Sequence, residues 1–300
     1  MHPVLKGVGA LAAAIVTCAT AVPIYLYVAS EAMIERRYPL PAIEGPASLS
    51  PKLVERGAHL AQIAGCSDCH GADFKGRRAV GEGGLYLWSS NLRFSAAQMS
   101  EGEFERALRR GIAPDATSLW AMPSADYMYM SEFDVASLLA FLRSLGPAGR
   151  ARPPPIWDRP ARLALLSGTI VPSALATRDA PSSLDLGPRY DGGRYLARIA
   201  CSQCHGTDLG GPSAPDLDVV SLYGRPAFFD LLRRGTGAHR RTVPSMKRLA
   251  ALRFHVLADY EIMALYDYLD ARAHAPPALA ARARENELRR RAANAAEKED

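Results

Sequence analysis

At 300 residues the chain has room for about two domains, and its 22 prolines and 24 glycines point to loop-rich ones. A formal charge of +5 does not by itself argue for a nucleic-acid partner. Five cysteines leave no disulfide framework, because Cys66, Cys69, Cys201 and Cys204 form two matched pairs and Cys18 lies alone in an apolar run.

The apolar run comes first in the chain. Between Lys6 and Glu31 lie 24 uncharged residues, mostly Ala, Val, Leu, Ile and Tyr. As a helix they span about 36 Å, enough for a hydrocarbon core of about 30 Å. Ala19-Thr20-Ala21 resembles a signal-cleavage site. The apolar stretch nevertheless continues through Ile24 to Val28, longer than a signal core, with tyrosines placed as at a membrane interface. The expectation is a retained single-span anchor with a spacer over residues 1–45, in which Pro23 is tolerable. A lipid on Cys18 is the weaker option, since Thr17 is a poor residue before a lipidated cysteine.

Cys66–His70 reads Cys-Ser-Asp-Cys-His and Cys201–His205 reads Cys-Ser-Gln-Cys-His. On a helical turn, residues three and four apart share a face. Both thiols of each motif can therefore form thioethers to one porphyrin while His70 or His205 reaches its iron, the pattern of c-type haem attachment. A zinc site would want its second thiol pair some 15 to 20 residues away, whereas Cys69 and Cys201 are 132 positions apart. A thioredoxin-like pair would need a βαβ context, which neither flank suggests. Two covalent haem c groups follow, and their propionates bring the charge near neutrality. Covalent attachment also implies an exported protein.

The flanks repeat as well. Leu60-Ala61-Gln62-Ile63-Ala64 matches Leu196-Ala197-Arg198-Ile199-Ala200, each closing a short helix at its motif, the first opened by Ser50 and Pro51. Leu108-Arg109-Arg110-Gly111 recurs as Leu232-Arg233-Arg234-Gly235, an offset of 124. Ser100 with Glu103 and Pro226 mark the helix starts before these segments, and Gly111 and Gly235 mark the stops. The arginine pairs read as solvated helix ends, with contact to haem propionates as the alternative. Each half closes on an amphipathic helix, with Val135, Leu138, Leu139 and Leu142 at i, i+3, i+4, i+7 and Ile262, Leu265, Tyr266 and Leu269 likewise. Ser131 with Asp134 caps the first, and Asp259 and Glu261 suit the dipole of the second. These helices are expected to pack on those leading into the motifs. Between the halves, Arg150 to Asp185 reads as a proline-rich, irregular connector whose apolar patch, Leu163 to Val171, is expected to dock within the chain, with a partner or the membrane surface as the alternatives. The arginines beyond Ala278 read as a solvated helical face.

The occupant of the sixth iron position divides electron transfer from chemistry. Candidates are Met99, Met122, Met128 and Met130 in the first half, and Met246, Met263, His239 and His255 in the second. Met122 lies 14 residues after Leu108 and Met246 lies 14 after Leu232, each in a loop beside a proline. Met122 and Met246 are therefore the expected axial ligands, with His239 as the alternative in the second half. A methionine ligand raises the reduction potential.

Taken together, Cys66–His70 with Met122, Cys201–His205 with Met246, and the helices Ser131–Leu145 and Asp259–Ala271 resemble the class I (mitochondrial-type) cytochrome c domain, in duplicate. More narrowly, Gly57 to Gly71, Asn91-Leu92, Ala121-Met122-Pro123 with Tyr127, and Ala140 to Leu145 are similar to the membrane-bound cytochrome c subunits of bacterial alcohol, aldehyde and gluconate dehydrogenases. Those subunits usually carry three haem motifs, whereas this chain has two. The resemblance implies an all-α fold with two tandem haem domains, at 46–149 and 186–275, joined by the connector 150–185 and followed by a charged helical tail over 276–300.

The function expected is single-electron transfer by a dihaem cytochrome held at a bacterial inner membrane, its haem domains facing the periplasm. Its redox partners would be a dehydrogenase, a quinol-oxidising complex or a terminal oxidase, with no nucleic acid and no catalytic residue in the chain itself. The rival is a dihaem peroxidase, for which Trp157-Asp158-Arg159 resembles part of a tryptophan-rich motif. A dihaem thiosulfate dehydrogenase would favour a cysteine ligand, and only Cys18 stands outside the motifs. A haem-based gas sensor would need a signalling module, and none accompanies the motifs.

Overall fold

A computed structural model of the chain describes residues 3–40, 50–211, 213–237, 241–279 and 285. Helix α1, Pro3–Ile34, contains the long apolar run, and its Ala10–Ile34 portion is long and apolar enough to cross a membrane, as an anchor or as a leader. Its side chains point outward: Leu11, Ile15, Val16, Val22 and Ile24 are all more than half exposed, a surface suited to lipid.

The first half consists of α2 (Pro51–Ile63), the short turn α3 (Cys66–His70), a hairpin of β1 (Arg78–Val80) and β2 (Tyr86–Trp88), then α4 (Leu92–Gln98), α5 (Glu101–Glu105), α6 (Ser124–Tyr127) and α7 (Glu132–Ser144). The connector holds α8 (Arg159–Leu166) and α9 (Ser173–Asp179). The second half holds α10 (Asp191–His205), α11 (Arg225–Arg234), α12 (Pro244–Leu252) and α13 (Asp259–Ala273).

The local signals operate as the residue types dictate. Ser50 accepts the Leu53 N–H at 3.3 Å, and Ser131 accepts that of Asp134 at 3.1 Å. Ser100 and Glu103 form the reciprocal capping box. Gly111 and Gly235 end their helices at φ 66° and 69°, the left-handed conformation that glycine adopts without strain.

In each half the terminal helix crosses the helix that leads into the motif, α7 on α2 and α13 on α10. A glycine stands at each crossing. A Cβ on Gly57 would overlap the Ser137 carbonyl, and one on Gly193 would overlap the Ala264 carbonyl, so the backbones touch. The apolar rows Val135, Leu138, Leu139, Leu142 and Ile262, Leu265, Leu269 are buried along these seams, within one core cluster that spans both halves. Two buried carboxylates tie the halves together. Asp134 is held by Arg56 at 2.9 Å through both oxygens and by the Tyr195 hydroxyl at 2.6 Å, while Glu261 meets His59 at 2.9 Å.

The connector is more regular than its prolines suggest. Asp158 accepts the Ala161 N–H at 3.0 Å and Pro160 fills the first turn, which starts α8. Leu165 and Ile170 are buried with Leu85 and Leu87 of the hairpin region, and Met33, Ile34, Trp120 and Trp157 pack around them. Leu163 and Val171 remain exposed. Arg162 bonds Ser30 at 2.7 Å and pairs with Glu31 at 2.7 Å, so the connector also braces the end of α1. Apart from residues 276–279 and Glu285, the charged tail lies outside the described residues.

Candidate haem-binding sites

The two Cys-x-x-Cys-His turns share one geometry. His70 Nδ1 lies 2.8 Å from the Ser90 carbonyl and His205 Nδ1 lies 2.7 Å from the Pro215 carbonyl. A carbonyl can only accept, so Nδ1 carries the proton in both rings and Nε2 keeps its lone pair for a metal. Burial pulls both imidazoles below their ordinary pKa, against the opposing pull of the carbonyl, which keeps them neutral at pH 7. The next loop closes identically: the Gly76 N–H bonds the His70 carbonyl and the Gly211 N–H bonds the His205 carbonyl, both at 2.7 Å. Phe74 and Leu209 take the same left-handed conformation, at φ 57° and 65°.

The halves then diverge by a defined insertion. Ser90 follows His70 by 20 residues, whereas Pro215 follows His205 by 10. The additional ten residues are the β1–β2 hairpin, which explains most of the fall in offset from 135 at the motifs to 124 at Gly111 and Gly235. Beyond the hairpin the repeat resumes. The bridges Ile112 to Ser118 and Thr236 to Thr242 correspond, as do the bonds from Leu119 N–H to the Gly111 carbonyl at 2.7 Å and from Val243 N–H to the Gly235 carbonyl at 2.9 Å. Met122 and Met246 each stand three residues past that bond.

In the first half the turn faces a cavity of about 220 Å³. Cys66, Cys69 and His70 line it together with Met99 and Met122, and Leu92, Phe104, Leu108, Leu138 and Leu142 supply apolar wall. Imidazole nitrogen, two thiols and thioether sulfur in an apolar chamber fit a covalently held haem. The connector fixes the methionine loop from outside, since the Ser173 hydroxyl donates to the Met122 carbonyl at 2.8 Å and Ser173 N–H bonds the Leu119 carbonyl at 3.1 Å.

Met99 also lines the chamber. It ends α4, with its carbonyl bound by Arg143 at 2.9 Å. The repeat separates it from Met122: the position 124 residues on is Tyr223, whereas Met122 is matched by Met246. Met130 is buried in the core and Met263 is exposed on α13. His255 is exposed, and His239 lies outside the described residues. Met246 is half-buried against the core. It sits on the first turn of α12 rather than in the expected loop, because Pro244 starts the helix two residues earlier.

Three arginines of the two pairs are engaged at helix ends. Arg109 meets Glu105 at 2.5 Å, Arg233 meets Asp259 at 2.8 Å and Arg234 meets Asp230 at 2.5 Å. Asp158 is occupied as the cap of α8, and Trp157 stacks edge-on against Trp120 at 4.6 Å. Burial pushes the Cys66 and Cys201 thiols up to about 12, so in the bare chain they stay protonated at neutral pH.

Asp126, beside the Met122 loop, is buried, and burial pushes its carboxyl up to about 7. Between its ordinary 3.8 and about 7 the folded chain keeps a proton that the unfolded chain releases. Asp126 therefore costs stability progressively as pH rises through that window, and in full above it. Asp126→Asn is expected to raise the thermal midpoint by several degrees at pH 8 and to leave it nearly unchanged at pH 4. Melting curves at the two pH values check this, and an equal shift at both would contradict it.

No family model matches the chain. It is 26% identical over 260 residues to the fructose dehydrogenase cytochrome subunit of Gluconobacter japonicus, covering 75% of this chain and 53% of that one. It is 30% identical over 169 residues to a diheme cytochrome c-type protein of Cereibacter sphaeroides, 50% of this chain and 56% of that one. With the cytochrome c subunit of alcohol dehydrogenase (quinone) from Komagataeibacter europaeus it shares 24% identity over 266 residues, 75% and 57% of the two chains. The chain spans about half the length of the curated relatives it matches. Two motifs of one geometry, together with these relatives, make the chain a dihaem cytochrome c related to the cytochrome subunits of dehydrogenases, with two covalently bound haem c groups.

Proposed function

We propose that the chain carries single electrons between a membrane dehydrogenase or quinol-oxidising complex and a terminal acceptor, as a relay of two closed haems. Cys66 and Cys69 hold the first haem and Cys201 and Cys204 the second; His70 with Met122, and His205 with Met246, ligate the irons. The haem domains occupy 46–149 and 186–275, and α1 tethers them to the outer face of a bacterial inner membrane. Haem c, when bound, supplies a one-electron couple at iron.

The rest belongs to the protein. Nδ1 of each histidine is fixed by a backbone carbonyl, which aims the ring and raises its basicity as a ligand. The apolar chamber excludes water, and a thioether ligand favours the reduced iron, which sets a high potential. One observation carries the proposal: a carbonyl-held histidine and a methionine at the repeated position line one chamber. Such an iron has no position left for substrate. The partner class rests on the relatives, two of which are named as dehydrogenase cytochrome subunits.

Membranes containing the chain are expected to show both haems reduced by a dehydrogenase substrate or a quinol, and reoxidised when a terminal oxidase is supplied with oxygen. Hydrogen peroxide turnover with a reduced cytochrome donor, in place of that cycle, would contradict the proposal.

A further inference from the structure

The two attachment turns are joined by a single side chain. Asp68 stands directly before Cys69 and Gln203 directly before Cys204, so they are the same position of the two motifs. Arg253 holds both. Its Nε donates to Asp68 Oδ2 at 2.8 Å and its Nη2 donates to Gln203 Oε1 at 2.9 Å, with Nη2 also 2.7 Å from Asp68 Oδ2. This guanidinium is buried, 7% exposed as a residue, and Arg253 is the C-cap of α12, the helix that carries Met246.

The sequence around the first motif makes room for it. From Gly57 to Cys66 is nine residues, whereas from Gly193 to Cys201 is eight. The extra residue is Gly65, which breaks the helix at φ 69°, and a Cβ there would overlap the Arg253 guanidinium. Contacts continue on the far side. Gln203 Nε2 donates to the Tyr127 hydroxyl at 2.5 Å, which donates to the Ala64 carbonyl at 2.9 Å. Gln203 also lines the chamber of Cys66, Cys69 and His70, so the second motif forms part of the wall of the first site.

We infer that Arg253 is the positioning residue of the electron step between the two haems, clamping both attachment turns and placing one positive charge at both centres. The inference rests on the proposed reading of the motifs as haem sites. Thioethers tie each porphyrin to its turn, so fixing the turns against each other fixes the separation across which the electron passes. In that step one iron goes from ferrous to ferric and the other from ferric to ferrous, with no bond formed or broken and no proton required. A buried cation beside both centres favours the reduced state of each, and Asp68 partly offsets it. Its charge already acts on both first cysteines, opposing the upward pull of burial on the Cys66 and Cys201 thiols. Stability alone does not call for this residue, because apolar packing of similar volume serves as well as a buried ion pair.

The test uses the full, haem-loaded chain, with Arg253→Gln and Asp68→Asn measured by redox titration and by rapid photoreduction. Arg253→Gln is expected to lower both midpoint potentials and to slow exchange between the haems by about tenfold, as a loosened reacting pair does, while both haems stay low-spin. Asp68→Asn is expected to raise both potentials. A purely structural clamp would move the potentials in the same direction in both variants. Unchanged potentials and exchange in a low-spin dihaem Arg253→Gln protein would overturn the inference, and if that variant does not accumulate, unmoved potentials in Asp68→Asn would do so. Failure of the underlying haem assignment shows separately, as a parent protein without two low-spin c haems.

Discussion

Replacing Met122 by His is expected to lower the potential of one haem by on the order of 100 mV, a fraction of the roughly 0.8 V that axial ligands span, and to leave the other haem where it was. The cause is the ligand atom: imidazole favours ferric iron more than thioether does. Met122→Ala is expected to give a different result, one haem that binds carbon monoxide and one that does not. The loop itself should persist in both variants, because Ser173 holds the Met122 backbone carbonyl rather than its side chain. Redox titration of each variant checks this. Two unchanged potentials would transfer the ligand role to Met99, the other methionine of the chamber.

Removal of both thiols of the first motif should have the largest effect on the protein itself. Cys66→Ala with Cys69→Ala leaves one covalent haem per chain, read as the mass of the denatured protein. An emptied chamber leaves Leu92, Phe104, Leu108, Leu138 and Leu142 without the apolar packing that a bound haem supplies. The two halves share one core cluster, so the loss is not confined to the first half. The double variant is expected to unfold in a single transition at a much lower temperature than the parent. A normal midpoint for the second half, with only the first half unfolded, would contradict this coupling.

The proposed attachment residues were legible because covalent chemistry requires them to be contiguous, and the helix caps because they act within four residues. The proposed sixth ligands were legible only through the repeat: Leu108 and Leu232 provided a common origin from which Met122 and Met246 fall at equal distance. Four features were hidden. Gly57 and Gly193 resemble any helical glycine until the crossing helix is placed on them. The start of α8 was present as Asp158 and Pro160, yet it lay among prolines that read as irregular. Met246 shifted from loop to helix because Pro244 acts as a start signal as well as a turn residue. Arg253 had no sequence signal at all, since its partners lie 185 and 50 residues away. Contacts of that range arise from the packing of the halves, which no local pattern records.

In the proposed relay both irons are closed by protein ligands. Exposure of the reduced, full-length protein to carbon monoxide tests it most directly. Two c-type haems per chain and no change in the reduced spectrum of either are expected. Ready binding at both irons would contradict it, because that would leave each centre with an open position for chemistry.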